Sequence, residues 1–215
     1  MAVRRLSIFD KLLCELDTTL RTLIVPEQRN STRANPGQSF TEPLLNAQEK
    51  CHVAGLMRVN HAGEVCAQAL YQGQALTAKL TTVKEQMKKA AMEEVEHLAW
   101  CEQRLHELDS QPSILNPFWY GGSLILGALA GLAGDQWSLG FVAETERQVT
   151  QHIQHHLDHL PPHDIKTKSI LSKMQDDETK HADTAIAAGA AELPFLIKKL
   201  MQGVSTLMTK SSYYI

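Results

Sequence analysis

Apolar residues recur along most of the chain at intervals of three and four, the period of helices with one buried face, while the strict alternation of half-buried strands is scarce. Phe9, Leu12, Leu13, Leu16, Leu20 and Leu23, with Ile8, line one side of a short amphipathic helix over residues 7–25. From Pro26 to Pro43 the pattern is lost, and Asn-Ser-Thr and Asn-Pro-Gly mark a polar linker. A long helix is predicted from about Leu44 to Leu80, and a second from about Thr82, its cap, to Leu108, where Asp109-Ser-Gln-Pro stops it. No charged residue occurs from Ser110 to Gly134; this apolar, Gly-rich run leads into a third long helix that Pro161-Pro162 ends after Leu160. A fourth covers about Asp164 to Ala190, and Pro194 opens a last amphipathic helix to about Thr209. Four long helices with short links predict an all-α four-helix bundle with accessory helices at each end. The division expected is residues 1–43, an amphipathic helix and linker, followed by the bundle domain over 44–215.

Carboxylates interrupt the apolar stripes of the four long helices. On the second helix Met87, Ala91, Leu98, Cys101, Leu105 and Leu108 leave a gap that Glu94 fills. On the third, Val142, Val149, Ile153, Leu157 and Leu160 leave one for Glu146, with Glu144 off the stripe. Leu171, Met174, Ala185 and Ala188 surround Glu178 and His181 on the fourth, and Glu64 lies among Met57, Ala67 and Tyr71 on the first. A buried, unpaired carboxylate is costly and persists only with strong compensation. The bland alternative is that these acids tilt outward or pair with cations, but no Lys or Arg repeats along the stripes.

The order of the acids supplies a different compensation. Glu64 is followed on the next helix by Glu94-Val-Glu-His97, then Glu146 by Glu178-Thr-Lys-His181. A lone Glu followed by Glu-x-x-His, repeated once, is the ligand pattern of a di-metal bundle of the ferritin-like type, because positions three apart share a helix face. The spacings of 30 residues (Glu64 to Glu94) and 32 (Glu146 to Glu178) suggest two hairpins related by an approximate two-fold axis. One Glu-x-x-His alone is weak: with 15 Glu and 10 His, roughly one arises by chance. Glu49-Lys-Cys-His52 is read as such a decoy, about 22 Å from Glu64 along one helix at ~1.5 Å per residue.

Four carboxylates cancel the charge of two divalent ions, and oxygen-rich ligation with one imidazole per ion suits iron or manganese better than zinc. Open positions on two adjacent irons would bring in dioxygen as a reactant, the chemistry of an oxygenase. His152, about one and a half turns beyond Glu146, reads either as a hydrogen-bond donor at the edge of the site or as a surface residue. His61 reads equally as support for the site or as a satisfied core residue. His155, His156, His159 and His163 near a helix end read as solvated, and Asp177 and Asp183 as solvent-facing.

Length changes this picture little: 215 residues suit one substantial domain. A net charge of −3 gives no electrostatic support to nucleic-acid binding. Cys14, Cys51, Cys66 and Cys101 form no C-x-x-C pair and read as reduced thiols. Arg4 and Arg5 precede a segment broken by Asp10, Lys11, Glu15 and Asp17, which is not the pattern of a signal peptide. The strongly apolar part of the uncharged segment, Leu124 to Ala133, is too short to span a bilayer, but Phe118, Trp119, Tyr120 and Trp137 flank it as interfacial aromatics do. With Phe195, Leu196, Leu200, Met201, Val204, Leu207 and Met208 of the last helix, it is expected either to touch a membrane surface or to complete a core or oligomer contact.

Arg58-Val-Asn-His-Ala-Gly-Glu64, Met92-Glu-Glu-Val-Glu-His97, Phe141-Val-Ala-Glu-Thr-Glu146 and Asp177-Glu-Thr-Lys-His181 together resemble the bacterial branch of the demethoxyubiquinone hydroxylase family, over about residues 45–205. That resemblance implies a ferritin-like di-iron fold and hydroxylation of the ring of a polyprenylated methoxy-methyl-benzoquinol in a late step of ubiquinone biosynthesis. It implies Glu64 and Glu146 as terminal carboxylates, Glu94 and Glu178 as bridges, His97 and His181 as nitrogen ligands of two iron ions, and His152 near the substrate. Where some members carry Tyr after that histidine this chain has Ile153, so an electron-transfer role for that tyrosine does not carry over. Expected partners are the lipid-soluble quinol, dioxygen and the cytoplasmic side of the inner membrane, to which the protein would attach peripherally. Accessory ubiquinone-biosynthesis proteins and a homo-oligomer complete the list. The rival reading is an iron-storage or rubrerythrin-like electron-transfer protein with the same ligand set, although the Cys-rich iron site of rubrerythrins is absent.

Overall fold

The computed structural model describes residues 7–27 and 29–215, without the side chains of Ile8 and Lys11; Arg4 and Arg5 lie outside the described residues. Seven helices follow one another among the described residues: α1 (Ile8–Leu23), α2 (Ala47–Thr77), α3 (Thr81–Glu107), α4 (Asn116–Leu132), α5 (Asp135–His159), α6 (Ile165–Ala187) and α7 (Phe195–Tyr214). There is no strand among the described residues. α2 and α3 form one hairpin and α5 and α6 a second, and together they make the four-helix bundle; α4 and α7 pack on the outside of α2, and α1 touches α2 and α4.

Local signals account for the ends. Asn46 and Glu49 form a capping box at the start of α2, so the acid of the decoy motif is spent on a helix terminus. Its His52 pairs with the Tyr213 hydroxyl at 2.6 Å. The cap of α3 is Leu80 rather than Thr82, with no side-chain bond of its own. Instead Asp135 accepts from the backbone N–H groups of Lys79 and Leu80 at 3.0 and 2.9 Å, tying the α2–α3 turn to the start of α5.

The apolar segment differs from expectation. It is a separate helix rather than the opening turns of the third long one, because Gly134, at φ +117°, breaks the chain between α4 and α5. Its glycines allow close approach to α2: a Cβ on Gly127 would sit 2.2 Å from the Leu70 carbonyl oxygen, and one on Gly73 would sit 2.3 Å from that of Leu124. The opposite face leaves Ile125, Leu129 and Leu132 more than half exposed.

Two apolar layers fill the bundle. One contains Met57, Trp100, Cys101, Leu105, Ile153, Leu171 and Met174. The other contains Ala67, Tyr71, Met87, Leu139, Val142 and Ala185. On every one of the four helices the two layers leave an interval between them, and that interval holds the predicted ligands. The polar stretch read as a linker packs along α3 and α6: Arg29 meets Glu102, Arg33 meets Asp177, and Glu42 meets Arg104 and Lys166.

Candidate metal centre

Sandwiched between the two layers, Glu64, Glu94, His97, Glu146 and Glu178 are buried, and the His181 side chain is 9% exposed at the rim. They form two overlapping groups, Glu64, Glu94, His97 and Glu178, and Glu94, Glu146, Glu178 and His181, each with ligand atoms within 4.8 Å of one another. Glu94 and Glu178 belong to both groups. His97 Nδ1 lies 3.1 Å from Glu94 Oε2 and 2.9 Å from Glu178 Oε1, while His181 Nδ1 lies 3.2 Å from Glu94 Oε1 and 3.1 Å from Glu178 Oε2. Each of these carboxylates therefore turns one oxygen to each imidazole, as a bridge between two ions must. Of the two imidazoles, Glu64 stands by that of His97, at 3.5 Å.

Do these residues fit a metal pair? Glu94 Oε1 and Glu178 Oε1 are buried without a hydrogen-bond partner, although an imidazole nitrogen is near each. Such orphaned acceptors are costly unless a cation lies along their lone pairs. The donor set of four carboxylates and two imidazoles fits two hard or borderline divalent ions.

Without cations, protons neutralise the cluster. Burial pushes the Glu64 and Glu146 carboxyls well above the usual range, and neighbouring carboxylates push the same way. Burial opposes protonation of the imidazoles, but hydrogen bonds to carboxylates win, lifting His97 well above its ordinary value and His181 to about 12. Burial would likewise raise Glu94 and Glu178, yet the paired imidazoles hold both below the usual carboxylate range.

Each imidazole is braced at its far nitrogen by the acid that precedes the bridging Glu of the opposite helix. Asp177 Oδ2 lies 3.4 Å from His97 Nε2, and Glu93 Oε2 lies 2.6 Å from His181 Nε2. Such carboxylate–histidine pairs fix ring orientation and leave the other nitrogen for metal. Asp177 is thus not solvent-facing: it is buried, because Arg33, Lys173 and Lys180 also converge on it. Asp183 is exposed as expected.

Tyr71 was legible only as part of the stripe around Glu64. Two turns along α2 from Glu64, it crosses to the other hairpin and donates its hydroxyl to Glu146 Oε1. The same ring lines a cavity of about 870 Å³ between α1, α2 and α3, with Leu20, Gln72, Ala75, Met87 and Val95 among its walls.

The remaining histidines divide. His61 is a satisfied core residue: Nε2 faces Glu102 at 3.3 Å and Nδ1 accepts from Asn116 at 3.2 Å. His156 is buried rather than solvated, with Nδ1 accepting from Asn60 at 3.0 Å. His152 joins neither ligand group; its ring stacks edge-on against His156 at 4.0 Å, and its buried Nε2 has no partner. His155, His159 and His163 are exposed.

The family model described as "Ubiquinone biosynthesis protein COQ7" matches residues 51–212, which include all six clustered side chains. The chain belongs to this family. Relatives agree over its length: a Legionella pneumophila (strain Corby) protein named 3-demethoxyubiquinol 3-hydroxylase is 65% identical over 99% of this chain and 100% of its own. Proteins of the same name from Acinetobacter baylyi and Acinetobacter baumannii are 56% and 54% identical over the same shares. These alignments cover α1 and the polar stretch that precedes α2 as well as the bundle.

Proposed function

We propose that this COQ7 chain is a monooxygenase that hydroxylates the ring of a prenylated demethoxyubiquinol in ubiquinone biosynthesis. It would use dioxygen and two iron ions held by Glu64, Glu94, His97, Glu146, Glu178 and His181. Family membership supports the substrate class. The observation that carries the chemistry is the division of the Glu94 and Glu178 oxygens between two imidazoles, which builds two adjacent positions rather than one. Bound there, the iron pair would supply the redox chemistry that lets one atom of dioxygen enter a ring C–H bond.

The chain's own residues do the rest. The cavity beside Tyr71 is within the usual range for small-molecule sites, and its wall meets the centre at that residue. A quinol ring placed there would lie against Met87, Ala75 and Val95, which exclude water, while Tyr71 orients Glu146. The Gln72 side chain is occupied in holding α1, donating to the Glu15 carboxylate at 2.7 Å, so α1 forms one side of the cavity. The prenyl tail would leave along apolar side chains of α1, where Phe9, Leu12 and Leu16 are more than half exposed.

Peripheral attachment to the cytoplasmic side of the inner membrane is part of this proposal, and exposed apolar faces support contact with a lipid surface. Among the described residues no helix is long and apolar enough to cross a membrane. Phe118, Ile125 and Leu129 on α4 and Phe195, Leu196, Leu200 and Leu207 on α7 are nonetheless largely exposed, as on interfacial helices. Accessory biosynthetic proteins or a second copy would meet this same surface.

The test is incubation of iron-loaded protein with reduced demethoxyquinone, a reductant and ¹⁸O-labelled dioxygen. The expected product carries one labelled oxygen on the ring; a product with unlabelled oxygen, or no product from protein that holds two irons, overturns the reading.

A further inference from the structure

We propose that the strap between α1 and α2 is a positioning device for one half of the metal centre: Arg33, acting through Asp177, holds His97 in its ligating orientation. The His181 half is independent of the strap. This inference rests on the two-ion reading of the site.

The sequence repeats the same brace twice, but the surroundings of the two braces differ. Glu93, which braces His181, is partly exposed, and its nearby cation is Lys89 at 3.9 Å, on a side chain that is itself largely in solvent. An exposed pair of that kind fixes little. Asp177, which braces His97, is buried and held at both oxygens. Lys173 and Lys180 take Oδ1 at 2.5 and 3.4 Å, and both lysines reach in from the solvent side of α6. Arg33 takes Oδ2 at 2.5 Å, the same oxygen that faces His97 Nε2. Without the guanidinium, Oδ2 would keep only its 3.4 Å contact with His97 Nε2, against two lysines that hold the carboxylate at Oδ1.

Arg33 is itself fixed. Its guanidinium lies 4.8 Å over the Trp100 ring, and that ring is 5.3 Å from the ring of His97. The strap is fastened on both sides of it. Arg29 makes a two-pronged bond to Glu102 at 2.6 and 2.9 Å, with both side chains buried. Glu96, one residue before His97, gathers the Ser31 hydroxyl, the Thr32 N–H and hydroxyl, and the Arg33 N–H. At the far end Glu42 pairs with the fully buried Arg104. A segment with the composition of a linker is thus bonded along α3 and α6 at the level of one histidine ligand.

Charge and position predict opposite results, which makes the role testable. Removing a cation near a metal pair would tighten both ions if Arg33 acted only through its field. If it positions His97, its removal weakens one ion and spares the other. The experiment is anaerobic titration of the metal-free full-length chain with cobalt(II), read by calorimetry and by the visible absorption of the bound ion. The wild-type chain is expected to take two ions; if it takes none, the two-ion reading fails and the variants need not be made. In Arg33→Gln one of the two ions is expected to bind about tenfold more weakly, with the other unchanged. Arg33→Lys, which keeps the charge and reach, restores most of the loss. Glu93→Gln weakens the other ion, so the double variant binds both weakly. Thr32→Ala loosens the strap on Glu96 without touching Arg33 or Asp177, and predicts a smaller loss at the same single ion should Arg33→Gln not fold. Unchanged, equally weakened or tightened binding of both ions in the strap variants overturns the proposal.

Discussion

His156 is predicted to make the fold acid-sensitive. It is 3% exposed, and burial, reinforced by neighbouring imidazoles beginning with His152, pushes its value from 6.5 down to about 2. Its Nδ1 accepts from Asn60, so the folded state needs the neutral ring. In the unfolded chain the ring protonates near 6.5, and wherever the unfolded state binds more protons, stability rises with pH. The contribution is therefore present in full above 6.5 and is lost steadily as the pH falls toward the folded value. Between pH 7 and pH 4.5 the loss from this one group is about 2.5 kcal/mol, at about 1.4 kcal/mol per pH unit. The assay is urea unfolding at the two pH values for the wild-type chain and His156→Gln, whose side chain keeps an acceptor but does not titrate. The variant is expected to lose about 2.5 kcal/mol less than the wild type on acidification, whatever its stability at pH 7. Equal losses in the two proteins would refute the reasoning, because every other titrating group is common to both.

Three further outcomes are expected. Glu178→Gln should lower the metal content of iron-reconstituted protein from two ions per chain to fewer than one, because Glu178 faces both imidazoles, whereas Glu64→Gln should lose only one; elemental analysis distinguishes them. Gly127→Ala, whose Cβ would meet the Leu70 carbonyl oxygen, should cost about 1–3 kcal/mol in chemical unfolding, while Gly203→Ala on α7, with open space around it, should gain about 0.5–1 kcal/mol. Leu129→Glu and Leu200→Glu, on exposed apolar faces of α4 and α7, should each reduce co-flotation with anionic lipid vesicles at least about threefold without changing the melting temperature by more than a few degrees.

The bundle and the clustering of the six predicted side chains were legible because they obey one local rule: a helix face repeats every three or four residues, and a carboxylate that completes an apolar stripe must be buried. Glu94 and Glu146 were found in this way, and the structure places both between the two apolar layers. What escaped depends on partners remote in sequence. Asp177 looks solvated beside Lys173 and Lys180, but its inward partners are His97, 80 residues away, and Arg33, 144 residues away. His156 sits in a polar run, and its burial depends on Asn60 of another helix. The α4–α5 break turned on one Gly among many: Gly127 and Gly131 of α4 serve close packing, whereas Gly134 serves a backbone of positive φ, and composition alone does not separate the two uses.

Where the chain departs from its own two-fold pattern, the two halves acquire different jobs. Tyr71 lies seven residues after Glu64 and reaches Glu146; the matching position seven residues after Glu146 is Ile153, which is fully buried in the apolar layer with Met57 and Trp100. Glu146 therefore has a hydroxyl partner whose ring lines the cavity, while Glu64 has the His97 imidazole beside it. The histidine braces are unequal as well, since Asp177 is locked by the strap and Glu93 opens toward solvent. Together these differences set the two halves apart: Tyr71 joins Glu146 to the cavity wall and the His181 brace is partly exposed, whereas the His97 brace is buried and ion-paired to the strap.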